Sequence, residues 1–385
     1  MPPSGPLRGV RVLEVGGMGP GPFAGMTLAD MGAEVVRIDR PGGLGVFPGD
    51  ATQDILNRGK QSVCLDLKQP AAIEIVLAMA QRADILIEGH RPGVAERLGI
   101  GPADCHARNP ALVYGRMTGW GQAGPLAQRA GHDISYIALT GALHAIGDAG
   151  GPPQIPLNVV GDFGGGGTYL VMGVLAALWE AGRTGSGRVV DAAIVDGAAH
   201  LLSGTHAMLN TGTWRDERGV NMLDGGAPYY AVYETSDGGH MAVGAIEPKF
   251  YRLLLAGLGL HDVDAGDQND RSTWARTRER LAEAFGERTR AHWTEVFEAT
   301  DACVAPVLSL HEAAQHPHLR ARGTVVEHGG VLQAAPAPRV SGTPAVVGAA
   351  PVPLGADTAT VLTQWEVAEE LIAHIETDHA ADPTR

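Results

Sequence analysis

The sequence predicts an α/β protein with two parts: a Rossmann-like large domain built on a mostly parallel sheet with helices on both faces, and a smaller α+β domain. Three observations carry this. Over residues 11–117, short β-branched runs alternate with helical segments, the pattern that builds a parallel sheet. From Tyr229 the texture changes to a hairpin followed by helices. With 385 residues, 44% hydrophobic and 19% charged, the chain is too apolar for disorder and too long for one ordinary core.

Each element has a local reason. Arg11–Val15 is an apolar strand, the Gly/Pro loop Gly16–Pro22 feeds a helix to about Met31, and Glu34–Ile38 is a β-branched strand. Ser62–Leu67 is strand-like, Pro70–Arg82 has helical spacing with Pro near its start, and Asp84–Ile87 reads as a buried strand. Pro102 opens a short helix, and Ala111–Met117 is another strand. Residues 131–210 read as largely helical apart from the strand Arg188–Val195. Tyr229–Thr235 and His240–Ile246, joined at Asp237-Gly238-Gly239, form a hairpin, and Pro248 starts helices that run to about Thr300. The Pro/Gly/Ala-rich stretch Ala334–Leu354 leads to a terminal helix over about Asp357–Ile375 and a fraying tail, Glu376–Arg385. The expected plan is a large domain from 1–192, a linker at 193–231, a small domain at 232–314, a second linker at 315–335, and a return to the large domain over 336–385.

Charge narrows the function classes. A net charge of −14 argues against a nucleic-acid partner, because backbone binding needs a basic face. The first 100 residues nevertheless carry 10 Lys and Arg against 11 acids, close to neutral. These are either scattered surface charges or the seat of a small polyanion. No basic segment followed by an apolar core opens the chain, so a cytoplasmic location is expected. The longest apolar run, Tyr169–Trp179, falls short of the roughly 20 residues a spanning helix needs. Cys64, Cys105 and Cys303 form no Cys-x-x-Cys pair and read as small buried residues. His316-Pro317-His318 lacks a third ligand nearby, so no metal is expected.

Four signals could carry chemistry. Gly17-x-Gly19-x-Gly21 with Asp39 beyond it resembles a dinucleotide fingerprint, but the spacing is short by one residue and Pro20 and Pro22 remove amide donors. A tight turn feeding a helix is the better reading. Gly164 to Gly167 place four glycines ahead of an apolar helix, and close approach of a ligand is a natural reason for a bare backbone there. Asp162 beside them is either a helix cap or a carboxylate aimed into a cleft. His132 is either an ordinary histidine among 15 or a catalytic one, and Glu247 before Pro248 is either a cap or a catalytic carboxylate.

Motifs along almost the whole chain settle the resemblance: Gly19-Pro20-Gly21-Pro22, Val35 through Pro41, Asn57-Arg58, Asp66-Leu67-Lys68, Glu88-Gly89-His90-Arg91-Pro92-Gly93, Arg116 through Gln122, and Val190-Asp191-Ala192-Ala193. Together they resemble the family III CoA-transferase superfamily. Ala130 through Ile134, Asn158 through Gly166, Asn221 through Tyr230 and Gly244 through Pro248 are similar to its racemase branch. That resemblance implies racemisation of 2-methylacyl-CoA thioesters by α-proton exchange through an enolate. Its catalytic His, Asp and Glu fall on His132, Asp162 and Glu247. It implies that Arg40, Lys68, Arg91 and Arg97 contact CoA, with no cofactor beyond the acyl-CoA substrate. It also implies an interlocked homodimer in which Glu247 comes from the partner chain. The transferase branch uses the same Asp as a nucleophile but typically has Tyr at the position of His132 and Gln at that of Ile137. From the reaction we expect enolate donors at the Gly164 and Gly165 amides, and an apolar acyl surface to which Met222 and Tyr230 contribute or from which they are withdrawn as ordinary packing residues.

Overall fold

The structure is a computed structural model that describes residues 5–43, 53–343 and 346–373. Its contacts divide the chain into two units: one comprises Met1–Thr140, Leu157–Leu201 and His318–Arg385, the other Gly141–Pro156 and Leu202–Pro317. The tail expected at 376–385 lies outside the described residues.

The first unit holds a six-stranded sheet of β1 (Arg11–Val15), β2 (Glu34–Asp39), β3 (Lys60–Cys64), β4 (Ile85–Glu88), β5 (Val113–Thr118) and β6 (Val189–Ala193) in the order β3-β2-β1-β4-β5-β6. Every neighbouring pair is parallel, as the alternation of strands and helices predicts. Side chains alternate along each strand. Leu13, Val36, Leu86 and Tyr114 pack with Ile75, Val76 and Trp365 in one core, while Val12, Val35, Ile85 and Val113 pack with Leu28, Leu170 and Val174 in another. Helices Pro70–Ala80 and Thr358–Gln364 therefore cover one face, and Pro20–Asp30 and Thr168–Thr184 the other.

Buried ion pairs tie distant segments to this sheet. Lys60 donates to Glu14 at 2.7 Å and to the Pro22 carbonyl at 2.9 Å, with both side chains at most 5% exposed. Arg58 bridges Asp30 (2.6 Å), Gln333 (3.0 Å) and the Ala334 carbonyl (2.8 Å), while Arg37 pairs with Asp39 and donates to the Val352 carbonyl. Arg37 and Arg58 thus hold the returning C-terminal segment.

Two expectations change. The glycine run is a π-helix, Val159–Gly167, continuous with the helix Thr168–Thr184. The joined segment is consequently long and apolar enough to cross a membrane by length and composition, although one side of it buries Leu170, Val171, Val174, Ala177 and Ala181. The helix expected over Asp357–Ile375 breaks after Gln364, where Trp365 turns inward, its indole donating to Glu34 at 2.6 Å, and Glu366 takes a left-handed conformation, φ 51°; it resumes at Glu369. Segment 193–231 carries the helices Ile194–Leu201 and Ser203–Asn210. Segment 315–335 carries the helix Pro317–Arg322 and the hairpin Val325–His328/Val331–Ala334.

The second unit contains the expected hairpin as β7 (Tyr230–Glu234) and β8 (His240–Gly244), joined antiparallel by a third strand, β9 (Val304–Pro306). Helices Pro248–Gly257, Trp274–Gly286 and Arg290–Phe297 build its core from Tyr251, Phe285, Trp293 and Phe297.

Removing one partner of a buried ion pair strands the other charge. Lys60→Met should lower unfolding free energy by about 3–5 kcal/mol, whereas the double change Glu14→Leu/Lys60→Met should recover most of that loss, as read from denaturant midpoints.

Candidate functional site

Parallel strands deliver their following loops to one edge of the sheet, and the order reverses between β1 and β4, which marks that edge as the place for a ligand. Here the loops after β1 and β4 touch through glycine. A Cβ at Gly89 would stand 2.9 Å from the Gly17 Cα, and one at Gly16, 2.9 Å from His90 Cε1. Gly19, at φ 64°, lies against Asp162, whose Oδ2 would be 3.0 Å from a Cβ there. The glycines after β1 thus serve a tight turn and the seat of Asp162. Asp39, the acid a dinucleotide site would use, is already bonded to Ser62 at 2.5 Å and to Arg37 at 3.0 Å.

Asp162 sits in the π-helix, whose wide i→i+5 ladder runs from Phe163 N–H to the Asn158 carbonyl (3.2 Å) through Thr168 N–H to the Phe163 carbonyl. The amides of Gly164 and Gly165 lie inside that ladder, which corrects the expectation that they stand free as oxyanion donors. Packing accounts for these glycines. A Cβ at Gly165 would lie 2.6 Å from the Ala198 nitrogen, and one at Gly164, 2.9 Å from the Val159 carbonyl oxygen.

His132 occupies the N-cap position of the helix Asp133–Leu139; its carbonyl accepts from Ser135 and Tyr136, and its exposed imidazole makes no capping bond. The next residue, Asp133, reaches across and accepts the Asp162 backbone N–H at 2.7 Å. Burial pushes the Asp162 carboxyl above its usual pKa and the Asp133 charge adds to this, while the Asn158 amide (3.3 Å) and His132 pull the other way. His132 and Asp162 are therefore within electrostatic reach of each other. Tyr136 borders them. Its ring meets Trp120 edge-on at 4.7 Å and its hydroxyl donates to the Gly131 carbonyl at 2.5 Å; burial and then the Asp162 charge raise its pKa.

Two sets of basic residues bear on this edge. Arg37, Arg58, Lys60 and Arg116 are buried and paired. Arg40, Lys68, Arg91 and Arg97 are exposed, follow β2, β3 and β4 on the ligand edge, and have no ion pair among the described residues. Arg40 spends one N–H on the Gly43 carbonyl.

In the second unit Glu247 is exposed at the N-cap of Pro248–Gly257. Its carbonyl accepts from Phe250 and Tyr251, but its carboxylate makes no capping bond, so the cap reading does not account for the side chain. Met222 and Tyr230 are partly buried against that unit's core, which favours packing for both. Sequence reasoning singled out neither Asp133 nor Asn158 nor Tyr136. An acid in a first turn and a tyrosine on a helix are too common to stand out before their partner Asp162, 29 and 26 residues away in the chain, is placed. Among the described residues no group of three His, Cys, Asp or Glu is placed to hold a metal.

Comparison with known proteins gives a consistent picture. The sequence profile described as CoA-transferase family III matches residues 7–358. Curated relatives include α-methylacyl-CoA racemase of Mus musculus, 44% identical over 98% of this chain and 97% of that protein. The Homo sapiens protein of the same name is 42% identical over 97% and 96%. Among solved structures, Rv3272 of Mycobacterium tuberculosis superposes with a TM-score of 0.77 at 31% identity, covering 93% of this chain and 99% of that one.

Because the folded protein raises the pKa of Asp162, this carboxyl favours the folded state below its unfolded value of about 3.9 and loses that contribution as pH rises through its folded value. Asp162→Asn should therefore melt at a higher temperature than the parent at pH 7, with the gain shrinking as the pH approaches 4.

Proposed function

The chain belongs to CoA-transferase family III, and from that membership we propose that it is an α-methylacyl-CoA racemase, which inverts the carbon next to the thioester of a 2-methylacyl-CoA. The observation that carries this reading is the juxtaposition of His132 and Asp162 at two adjoining helix starts. Inversion needs a base on one face of the α-carbon and an acid on the other. Burial raises the proton affinity of the Asp162 carboxyl, which suits it to hold a proton as well as to take one. Of His132 and Asp162, the unprotonated one takes the α-proton, the C–H electron pair moves into the thioester as an enolate, and the protonated one returns a proton to the opposite face.

The enolate oxygen needs donors fixed before the reaction. The first-turn amides of Asp133 and Ile134 donate to no backbone partner among the described residues and follow His132 directly in the chain; we assign them this role in place of Gly164 and Gly165. The thioester itself acidifies the α-carbon, so the reaction as written uses no metal or redox cofactor. Arg40, Lys68, Arg91 and Arg97 are assigned to the phosphates of CoA, which their unpaired guanidinium and ammonium groups suit. Glu247, whose carboxylate has no hydrogen-bond or ion-pair partner among the described residues, is assigned to pair with His132 across a homodimer. The outward row of the helix Thr168–Thr184, where Met172 and Trp179 are 52% and 72% exposed, supports such an assembly.

The test is one enantiomer of a 2-methylacyl-CoA incubated in deuterated water. Wash-in of α-deuterium with loss of chirality is expected, and His132→Ala and Asp162→Ala should each slow it by about 10²-fold or more. Acyl exchange onto an added carboxylic acid without wash-in would overturn the reading in favour of a transferase with Asp162 as nucleophile. Arg91→Ala should raise KM by about 10-fold, the worth of a charge-assisted hydrogen bond, and leave kcat nearly unchanged.

A further inference from the structure

Asp133 is 8% exposed, and only half of its carboxylate is satisfied: Oδ1 accepts the Asp162 backbone N–H at 2.7 Å, while Oδ2 is buried with no hydrogen-bond partner among the described residues. Its place in the first turn of a helix explains a favourable charge there, but an exposed carboxylate would gain as much from the helix dipole without leaving water. Burying a carboxylate with an unmet acceptor is costly and gives no packing advantage. The neighbouring residue is shaped to let it in. A Cβ at Gly161 would stand 2.2 Å from Asp133 Oδ1 and 2.9 Å from Ile137 Cγ2.

We propose that Asp133 is a positioning residue for Asp162, its buried carboxylate fixing the first turn of the π-helix so that the Asp162 carboxyl group stays beside His132. The single bond from Oδ1 reaches the backbone at the reacting residue itself, across 29 residues of sequence. The groups facing Asp162 are the Asn158 amide on its own helix, His132, Asp133 and Tyr136 on the helix Asp133–Leu139, and the Gly19 backbone after β1. Of these, Asp133 alone both holds the backbone and brings a negative charge, which raises the proton affinity of Asp162 against the pull of His132. The kinetic part of this inference rests on the racemase reading; the tether does not.

Two variants separate the roles. Asp133→Ala removes bond and charge; kcat should fall about 10²-fold, as for a reacting group displaced by about an ångström, with KM little changed. Asp133→Asn keeps an acceptor at Oδ1 and loses the charge. Most of kcat should return, and the limb of the pH–rate profile that follows Asp162 should move to lower pH: the acid limb in the direction where Asp162 is the base, the alkaline limb in the reverse direction. Amide hydrogen exchange over residues 158–168 should quicken in Asp133→Ala and not in Asp133→Asn, whether or not the enzyme turns over. Wild-type kcat in Asp133→Ala, an unmoved limb in Asp133→Asn, or unchanged exchange at Asp162 would each overturn the proposal. If Asp133→Ala does not fold, Gly161→Ala, whose Cβ would stand 2.2 Å from Asp133 Oδ1, displaces the same bond and should give the same fall in kcat and the same faster exchange; parent-like values for both would overturn the proposal. Faster exchange in Asp133→Ala with no α-deuterium wash-in by the parent would overturn the racemase reading and leave the tether standing.

Discussion

Three helices meet at the glycine run, and the position of Asp162 follows from that contact. A Cβ at Gly197 would fall 1.9 Å from the Gly165 oxygen, so the π-helix and the helix Ile194–Leu201 lie backbone to backbone. On the other side Gly166 faces Pro20, and a Cβ at Gly167 would lie 2.7 Å from Phe23. Phe23 also stacks on Phe163 at 4.7 Å. The π-helix is wedged between two neighbours that are themselves fixed by the sheet, and Asp162 is carried on it to the turn after β1. Backbone contact of this kind has no rotamers to relax, so the direction of one carboxylate is set by covalent geometry more than by side-chain packing.

The charges obey a similar economy of place. An acidic chain with few bases has buried four of them in pairs, Arg37, Arg58, Lys60 and Arg116, where each joins strands or segments far apart in sequence. Burial raises the pKa of Glu14 and lowers that of Lys60, so their mutual attraction offsets only part of the desolvation. These pairs set register; of the bases left in water, Arg40, Lys68, Arg91 and Arg97 follow β2, β3 and β4 on the ligand edge. Glu88 belongs to both arrangements, because it takes Arg116 on one oxygen and the His90 backbone on the other, which fixes the start of the loop that carries Arg91 and leads into the helix Val94–Leu98 that carries Arg97.

Much of this was legible in the sequence. The strands β1, β2, β4 and β5 stand out because each is a short apolar run bounded by turn residues, and the hairpin β7–β8 because Asp237-Gly238-Gly239 interrupts two alternating stretches. His132, Asp162 and the exposed bases were visible as residues, while their assembly came through resemblance to a family. The glycine run was misread for a physical reason. Helix propensity ranks glycine last before proline, and it contains no term for a neighbouring backbone that only glycine can accommodate. Strand β9 has three residues and no pattern to detect. Asp133 was overlooked because its significance is a bond to a residue 29 positions on, and nothing local announces such a bond.

Arg58 has a further consequence, for the order in which the protein can be made. Its partners Gln333 and Ala334 follow it by 275 and 276 residues, and the whole second unit is synthesised in between. At translation rates of about 5–20 residues per second, Arg58 waits roughly 15–55 s for these partners. During that wait the guanidinium has Asp30 but not its two amide-oxygen partners. The inserted unit emerges complete before the sheet can close, so a nascent first unit stands open to whichever C-terminal segment arrives first, its own or that of a neighbouring chain on the same message.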